Sequence, residues 1–327
     1  ILIDNDFDPS AVIGGKLPLT GTNGRVGKSD ILVCEACEYK DTFLDLSPDV
    51  SVILNVDRDH IEYFKTLENL EASFRKFADM STKCVIYNGD DKNTIDSITG
   101  VEGKTMISFG KTDACDYVAK DVDWKDGAFP CFNVYHKGEN LGRVELSVPG
   151  EHNVLNALAA ICTAMYCGAT FEQCQKSVAT FKGAGRRFEY LGEYNGFDIV
   201  DDYAHHPEEI RQSILSIRQL YEGRRIRAIF QPHLYSRTND FYREFADALS
   251  LLDDVVLMDI YPAREEPIPG VTSRLIYDNL KPGTRKALCS KADILQHVCQ
   301  KDFDVLVTLG AGDIEDFAGK ITEILSR

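Results

Sequence analysis

The chain has 327 residues, a formal net charge of −16 and 44% apolar residues, enough for two domains with real cores. The acidity argues against a nucleic-acid surface, which needs a basic stripe, and no run of eighteen apolar residues offers a membrane span. The ten cysteines lack a framework spacing and mostly sit in apolar contexts, as reduced core residues do; Cys34-x-x-Cys37 has no second pair with which to bind zinc.

The chain opens ILIDNDFDP, apolar and acidic, with no signal-peptide pattern. It lacks an initiator Met and reads as part of a longer protein. Gly21 to Ser29 has the glycines of a phosphate loop in the wrong spacing, since Thr22 stands where a glycine is required. It also leads into a strand, Ile31 to Cys34, rather than a helix. A surface turn is expected there.

That strand delivers Glu35 and Glu38. A second, Val52 to Leu54, delivers Asp57, Asp59 and His60. Read as adjacent strands, they place acids and an imidazole together, as a metal–phosphate site requires; plain surface loops fit the same pattern. Leu67, Leu70, Phe74 and Phe77 recur at helical spacing. Residues 105–148 alternate in short runs and predict an antiparallel section. After Pro149-Gly150 a helix is marked by Val154, Leu158, Ile161 and Met165. Asn153 and Asn156 share a face of its first turn. An amide gives and accepts hydrogen bonds at once, which suits an adenine edge; an N-cap role is the alternative.

Phe181 to Glu208 is the densest stretch, with Arg186, Arg187, a short strand from Phe197 to Val200, then Asp201, Asp202, His205 and His206. Acids at the carboxyl end of a strand in an open α/β sheet are where function collects. Pro207 and two glutamates then open a helix. The same groups also admit a structural reading, as an ion pair and a helix cap. Beyond them strand and helix patterns alternate to the end, as in a Rossmann-like doubly wound domain. Gln231 to Thr238, Tyr261 to Arg264 and Gly310 to Asp313 fall at strand ends. His233 and Arg237 there are suited to clamp a carboxylate.

Taken together, EACEYKDTFL, NVDRDH, PGEHNVLNALAA, FKGAGRRFE, DDYAHHPEE, FQPHLYSRT, YPAREEPIPG and TLGAGDI resemble the Mur ligases, in order and over nearly the whole chain. The resemblance implies an α/β fold: a partial central ATPase domain over residues 1–184, mostly parallel with an antiparallel section and lacking the phosphate loop, then a Rossmann-like doubly wound domain over 185–327. It implies amide-bond formation in peptidoglycan precursor synthesis, in the cytoplasm. ATP phosphorylates the carboxylate of UDP-N-acetylmuramate, and L-alanine attacks the acyl phosphate. Catalysis of this kind is positioning and charge stabilisation. By the same resemblance Glu35 and His60 bind Mg²⁺, with Mn²⁺ an acceptable substitute. Asn153 and Asn156 meet the adenine, Arg187 clamps the ATP phosphates and Asp202 faces the nucleotide. His205, with Arg187 and Asp202, is catalytic, while His233 and Arg237 hold the substrate. Cys37 departs from the commoner EADES form and takes no role. The alternatives are a non-catalytic nucleotide-binding chain and a Mur-type ligase with another substrate. No role on nucleic acid or membrane is expected.

Overall fold

The structure, a computed structural model, describes every residue except Pro18, and the backbone alone of Ile61 and Glu62. The chain divides into two units, Ile1–Lys182 and Gly183–Arg327.

The first unit carries two sheets. One is small, with strands β1 (Ser10–Leu17), β2 (Thr22–Arg25) and β3 (Leu32–Cys34) in the order β2-β1-β3. The other is six-stranded, with β4 (Val50–Ile53), β5 (Cys84–Asn88), β6 (Thr105–Gly110), β7 (Tyr117–Lys125), β8 (Phe129–His136) and β9 (Glu139–Glu145) in sequential order. β4 to β7 are parallel and β7 to β9 antiparallel. The antiparallel expectation for residues 105–148 therefore holds from β7 onward, while β6 belongs to the parallel part. Successive residues of β5 face opposite sides. Cys84 and Ile86 pack under α4 (His152–Tyr166) and α5 (Phe171–Thr180), and Val85 packs with Leu70 of α2 (Leu67–Met80). The short α1 (Ile61–Phe64) and α3 (Lys92–Ile98) complete the unit. Thr66 caps α2 by accepting from the Asn69 amide, and a Thr170–Gln173 capping box starts α5.

Two expectations need correction. β3 and β4 are not neighbours: β3 pairs with β1 and β4 with β5. Leu32 and Val33 are accordingly exposed, at 62% and 43%, and each of the two strands ends its sheet with an unpaired edge. Gly21 to Ser29 is more than a turn. Thr22–Arg25 forms β2 of a hairpin with β1, because Gly21 at φ +67° lets the chain reverse before it.

The second unit is one six-stranded sheet. Its strands are β10 (Glu189–Tyr194), β11 (Phe197–Asp202), β12 (Ile226–Phe230), β13 (Asp254–Met258), β14 (Arg285–Cys289) and β15 (Val305–Leu309), ordered β10-β11-β15-β12-β13-β14. Only the β10–β11 pair is antiparallel. Helices α6 (Pro207–Leu220), α7 (Tyr235–Leu249) and α8 (Arg274–Asn279) pack on one face with Val200, Ala228, Phe230 and Val307. α9 (Ile294–Cys299) and α10 (Ala318–Ser326) cover the other, with Ile199, Ile229, Val256 and Leu306. Burial on both faces is why these strands are nearly all apolar. Asp201 and Asp202 lie inside β11 rather than past it, paired with Thr308 and Leu309 of β15.

Candidate functional site

In the first unit the loops after β3 and β4 bring Glu38, Asp59 and His60 together. One ligand atom from each lies within 4.8 Å of the others. His60 Nε2 is 3.8 Å from Glu38 and its Nδ1 3.8 Å from Asp59. His60 sits at φ +53°, and its amide donates to Asp59 at 2.8 Å; the Tyr39 ring packs on it at 4.7 Å. Two carboxylates and an imidazole fit a divalent cation that keeps several waters. Glu35 belongs to no such group among the described residues. Its carboxylate accepts from the Gly14 amide at 2.6 Å, an approach possible only because Gly14 lacks a Cβ, which would stand 2.8 Å from that carboxylate. Glu38 and Asp59 were visible in the sequence as acids at strand ends, yet spacing alone could not choose between Glu35 and Glu38.

On α4, Asn156 donates to Asn153 Oδ1 at 3.1 Å, and Asn153 donates to the Pro149 carbonyl at 2.7 Å. The pair is thus locked together, with Asn156 outermost and exposed.

In the second unit the carboxyl ends of β11, β12, β13 and β15 gather the other candidates. Arg186 and Arg187 separate into two roles. Arg186 reaches Asp201 at 3.1 Å, the Gly310 carbonyl at 2.8 Å and Glu315 at 2.8 Å. Gly310, at φ +137°, is obligatory, since a Cβ would lie 2.6 Å from the Gln231 carbonyl. The structural reading of the Arg–Asp pair therefore holds for Arg186. Arg187 is 55% exposed, stands 3.9 Å from Glu209, and lies with its guanidinium over the Tyr203 ring at 5.2 Å.

Asp202 is buried and accepts from the Ala204 amide at 3.1 Å. Burial pushes its carboxyl up to about 6, against the help of Ser213, Ala204 and Arg187. His205 Nδ1 lies 3.0 Å from the Tyr203 carbonyl. His206 packs on Phe241. His233 stacks on Tyr261 at 5.6 Å and meets the His205 ring edge-on at 5.8 Å. Burial, then His205 and Arg237, push His233 down to about 4, so it is neutral near pH 7. Its Nδ1 is buried with no hydrogen-bond partner among the described residues, as expected of a group that awaits a ligand. Arg237, expected on a loop, is in the first turn of α7 and buried.

Asp202 yields a stability prediction. Its folded value is raised, so the folded state binds more protons than the unfolded state between about pH 4 and 6. This contribution is full below about pH 4 and is lost as pH rises through 6. Asp202→Asn stays neutral throughout and should gain up to about 2–3 kcal/mol over the wild type at pH 7. Thermal midpoints from pH 4 to 7 test this; parallel profiles for the two proteins would refute it.

Comparison with known proteins agrees with this layout. Residues 16–164 match the Mur ligase middle domain, and 186–312 match the Mur ligase glutamate ligase domain. The UDP-N-acetylmuramate–L-alanine ligase of Caldanaerobacter subterraneus subsp. tengcongensis is 39% identical over 97% of this chain and 70% of its own length. That of Phocaeicola vulgatus is 40% identical over 97% and 69%. The crystal structure of the UDP-N-acetylmuramate–alanine ligase from Thermotoga maritima superposes with a TM-score of 0.81 at 27% identity, over 98% of this chain and 70% of that one. The chain belongs to the Mur ligase family, whose members are ATP-dependent amide-forming ligases. Among the described residues no helix is long and apolar enough to cross a membrane.

Proposed function

We propose that this chain is the larger part of a cytoplasmic ligase that joins L-alanine to the carboxylate of UDP-N-acetylmuramate, with ATP and Mg²⁺, in peptidoglycan precursor synthesis. The observation that carries this is the 39% identity, across 97% of the chain, to a ligase of that name. The two clusters divide the chemistry. Asn156 spends its amide on Asn153, which leaves its carbonyl to accept from the adenine amino group. Glu38, Asp59 and His60 would hold the divalent ion, which supplies charge neutralisation at the phosphates; Glu35 joins them only by leaving the Gly14 amide. Arg187 is exposed and only loosely engaged, as suits a phosphate clamp. His205, His233 and Arg237 take the amino-acid end, where buried His233 Nδ1 and the Arg237 guanidinium meet polar groups of the substrate.

We further propose that residues 1–327 do not turn over alone. A phosphate loop offers a cradle of unpaired backbone N–H groups. At the end of Gly21 to Ser29 three of those donors are already used: Gly27 bonds Ser10 Oγ at 3.0 Å, Lys28 the Asp8 carboxylate at 3.0 Å, and Ser29 the Asp8 carbonyl at 3.2 Å. An aspartate in that position also repels phosphate. The test is phosphate release with UDP-N-acetylmuramate, L-alanine, ATP and Mg²⁺. A full-length ligase carrying residues 1–327 should show release that depends on L-alanine, and the 327-residue chain should show none. Preference for another amino acid or a peptide would overturn the substrate assignment. Turnover by the chain alone would overturn its predicted inactivity.

A further inference from the structure

Glu209 lies at the centre of the second unit's cluster and was not among the residues singled out from the sequence. It is the third residue of α6, and its Oε2 accepts from the backbone amides of His205 at 3.0 Å and His206 at 3.1 Å. Those two bonds cap the helix. Two further contacts serve no cap. The same Oε2 lies 3.5 Å from His205 Nδ1, and Oε1 lies 3.9 Å from Arg187. Burial opposes ionisation of Glu209, but His205, the two backbone amides and Arg187 outweigh it and hold the carboxyl below its ordinary value. Glu209 is therefore a fixed negative charge beside a histidine.

The tautomer of that histidine is set as well. Nδ1 faces the Tyr203 carbonyl at 3.0 Å, and a carbonyl only accepts, so Nδ1 carries the hydrogen. The nitrogen that takes a proton is then Nε2. A carboxylate held against Nδ1–H orients an imidazole and stabilises the imidazolium, the logic of a catalytic triad. Other groups face the same ring. Tyr203 lies edge-on at 5.3 Å and His233, after β12, at 5.8 Å. Arg237 of α7, with Arg264 and Glu265 after β13, acts on His233. Arg187 and Asp202 lie on the Glu209 side. Of the two histidines, His233 is held neutral, and Glu209 stands beside His205 alone.

We propose that Glu209 is the positioning residue that fixes the tautomer and proton affinity of His205, and that His205 Nε2 accepts the proton shed by the attacking amine. The second half rests on the ligase reading above. In that step the amine lone pair forms the C–N bond. The C–O bond to phosphate breaks and its electron pair leaves with phosphate. The N–H proton goes to Nε2.

The test turns on Glu209→Gln, whose amide oxygen still accepts from both backbone N–H groups, so the cap survives while the charge is lost. In the 327-residue chain, NMR titration of the histidine ring signals, with His205 assigned from a His205→Gln spectrum, should show its pKa fall by about one unit or more, the effect of losing an adjacent opposite charge. The thermal midpoint should stay close to wild type, whereas Glu209→Ala should lower it by removing the cap. Identical His205 titration in wild type and Glu209→Gln would overturn the positioning role. In a full-length ligase carrying these residues, a base must be deprotonated, so the rate rises with pH through the His205 pKa. Glu209→Gln should move that rise to lower pH and reduce the plateau roughly tenfold, as a weaker base does. An unmoved pH profile beside a shifted NMR titration would overturn the proton-acceptor role. If the wild-type full-length ligase shows no L-alanine-dependent turnover, the ligase reading falls and the proton step with it, while the NMR titration still decides how Glu209 acts on His205.

Discussion

Arg187→Ala should lower turnover of a full-length ligase carrying these residues by about 10² or more, the scale of losing one donor aimed at transition-state charge, and should leave folding intact. Its neighbour should behave in the opposite way. Arg186 is tied to Asp201, Gly310 and Glu315, so Arg186→Ala should act first on stability. Asp201 would lose its guanidinium and, among the described residues, keep its bond with Thr308. Among the described residues the exposed Arg187 guanidinium lies over the Tyr203 ring and 3.9 Å from Glu209, contacts weak enough to give up for a phosphate. Steady-state phosphate release and thermal melting of both variants separate the roles. Near-normal turnover in Arg187→Ala, with Arg186→Ala active-site-defective but stable, would reverse the assignment.

Arg227→Ala should be the most damaging single change to the second unit. Arg227 is 1% exposed. It reaches Asp254 at 2.9 and 2.5 Å, Asp302 at 2.6 Å, the His297 carbonyl at 2.6 Å and Gln300 at 3.2 Å, with its guanidinium over Phe303 at 5.1 Å. It thereby ties β12 to β13 and to the chain before β15. Truncation leaves the Asp254 carboxylate buried, with Arg285 at 3.8 Å as its remaining cation. Breaking a buried pair from one side costs about 3–5 kcal/mol, mostly through the charge left behind. For a unit of this size that is a fall of roughly 10 °C or more in thermal midpoint. The double variant Arg227→Met with Asp254→Leu should recover much of the loss, because an apolar pair replaces a buried ion pair at little cost. A loss under about 1 kcal/mol in Arg227→Ala would show that the cluster is hydrated and this account wrong.

Sequence alone determined much of this protein. The strand and helix order of the second unit follows from apolar runs that must be buried on both faces, and α2 and α4 follow from helical spacing. The place of Asp202, His205 and His233 at the carboxyl edge of the sheet was legible because an open α/β sheet presents the carboxyl ends of its strands on one edge. The motif stretches carried the family. The tertiary structure decided what depends on partners distant in sequence. Arg186 and Arg187 are adjacent and chemically identical; Asp201, with Gly310 and Glu315 more than a hundred residues on, binds one and leaves the other exposed. Glu35 and Glu38 are three residues apart, and a contact with Gly14 across β1 takes Glu35 while the loop returns Glu38 to His60. β3 and β4 read as neighbours because both are apolar strands ending in acids, yet pairing is set by backbone hydrogen bonds, which composition does not encode. Glu209 looked like any acid in a first helical turn. Its partner is only four residues away, and what the folded loop adds is the orientation of the His205 ring, whose Nδ1 edge turns toward the Tyr203 carbonyl and the Glu209 carboxylate.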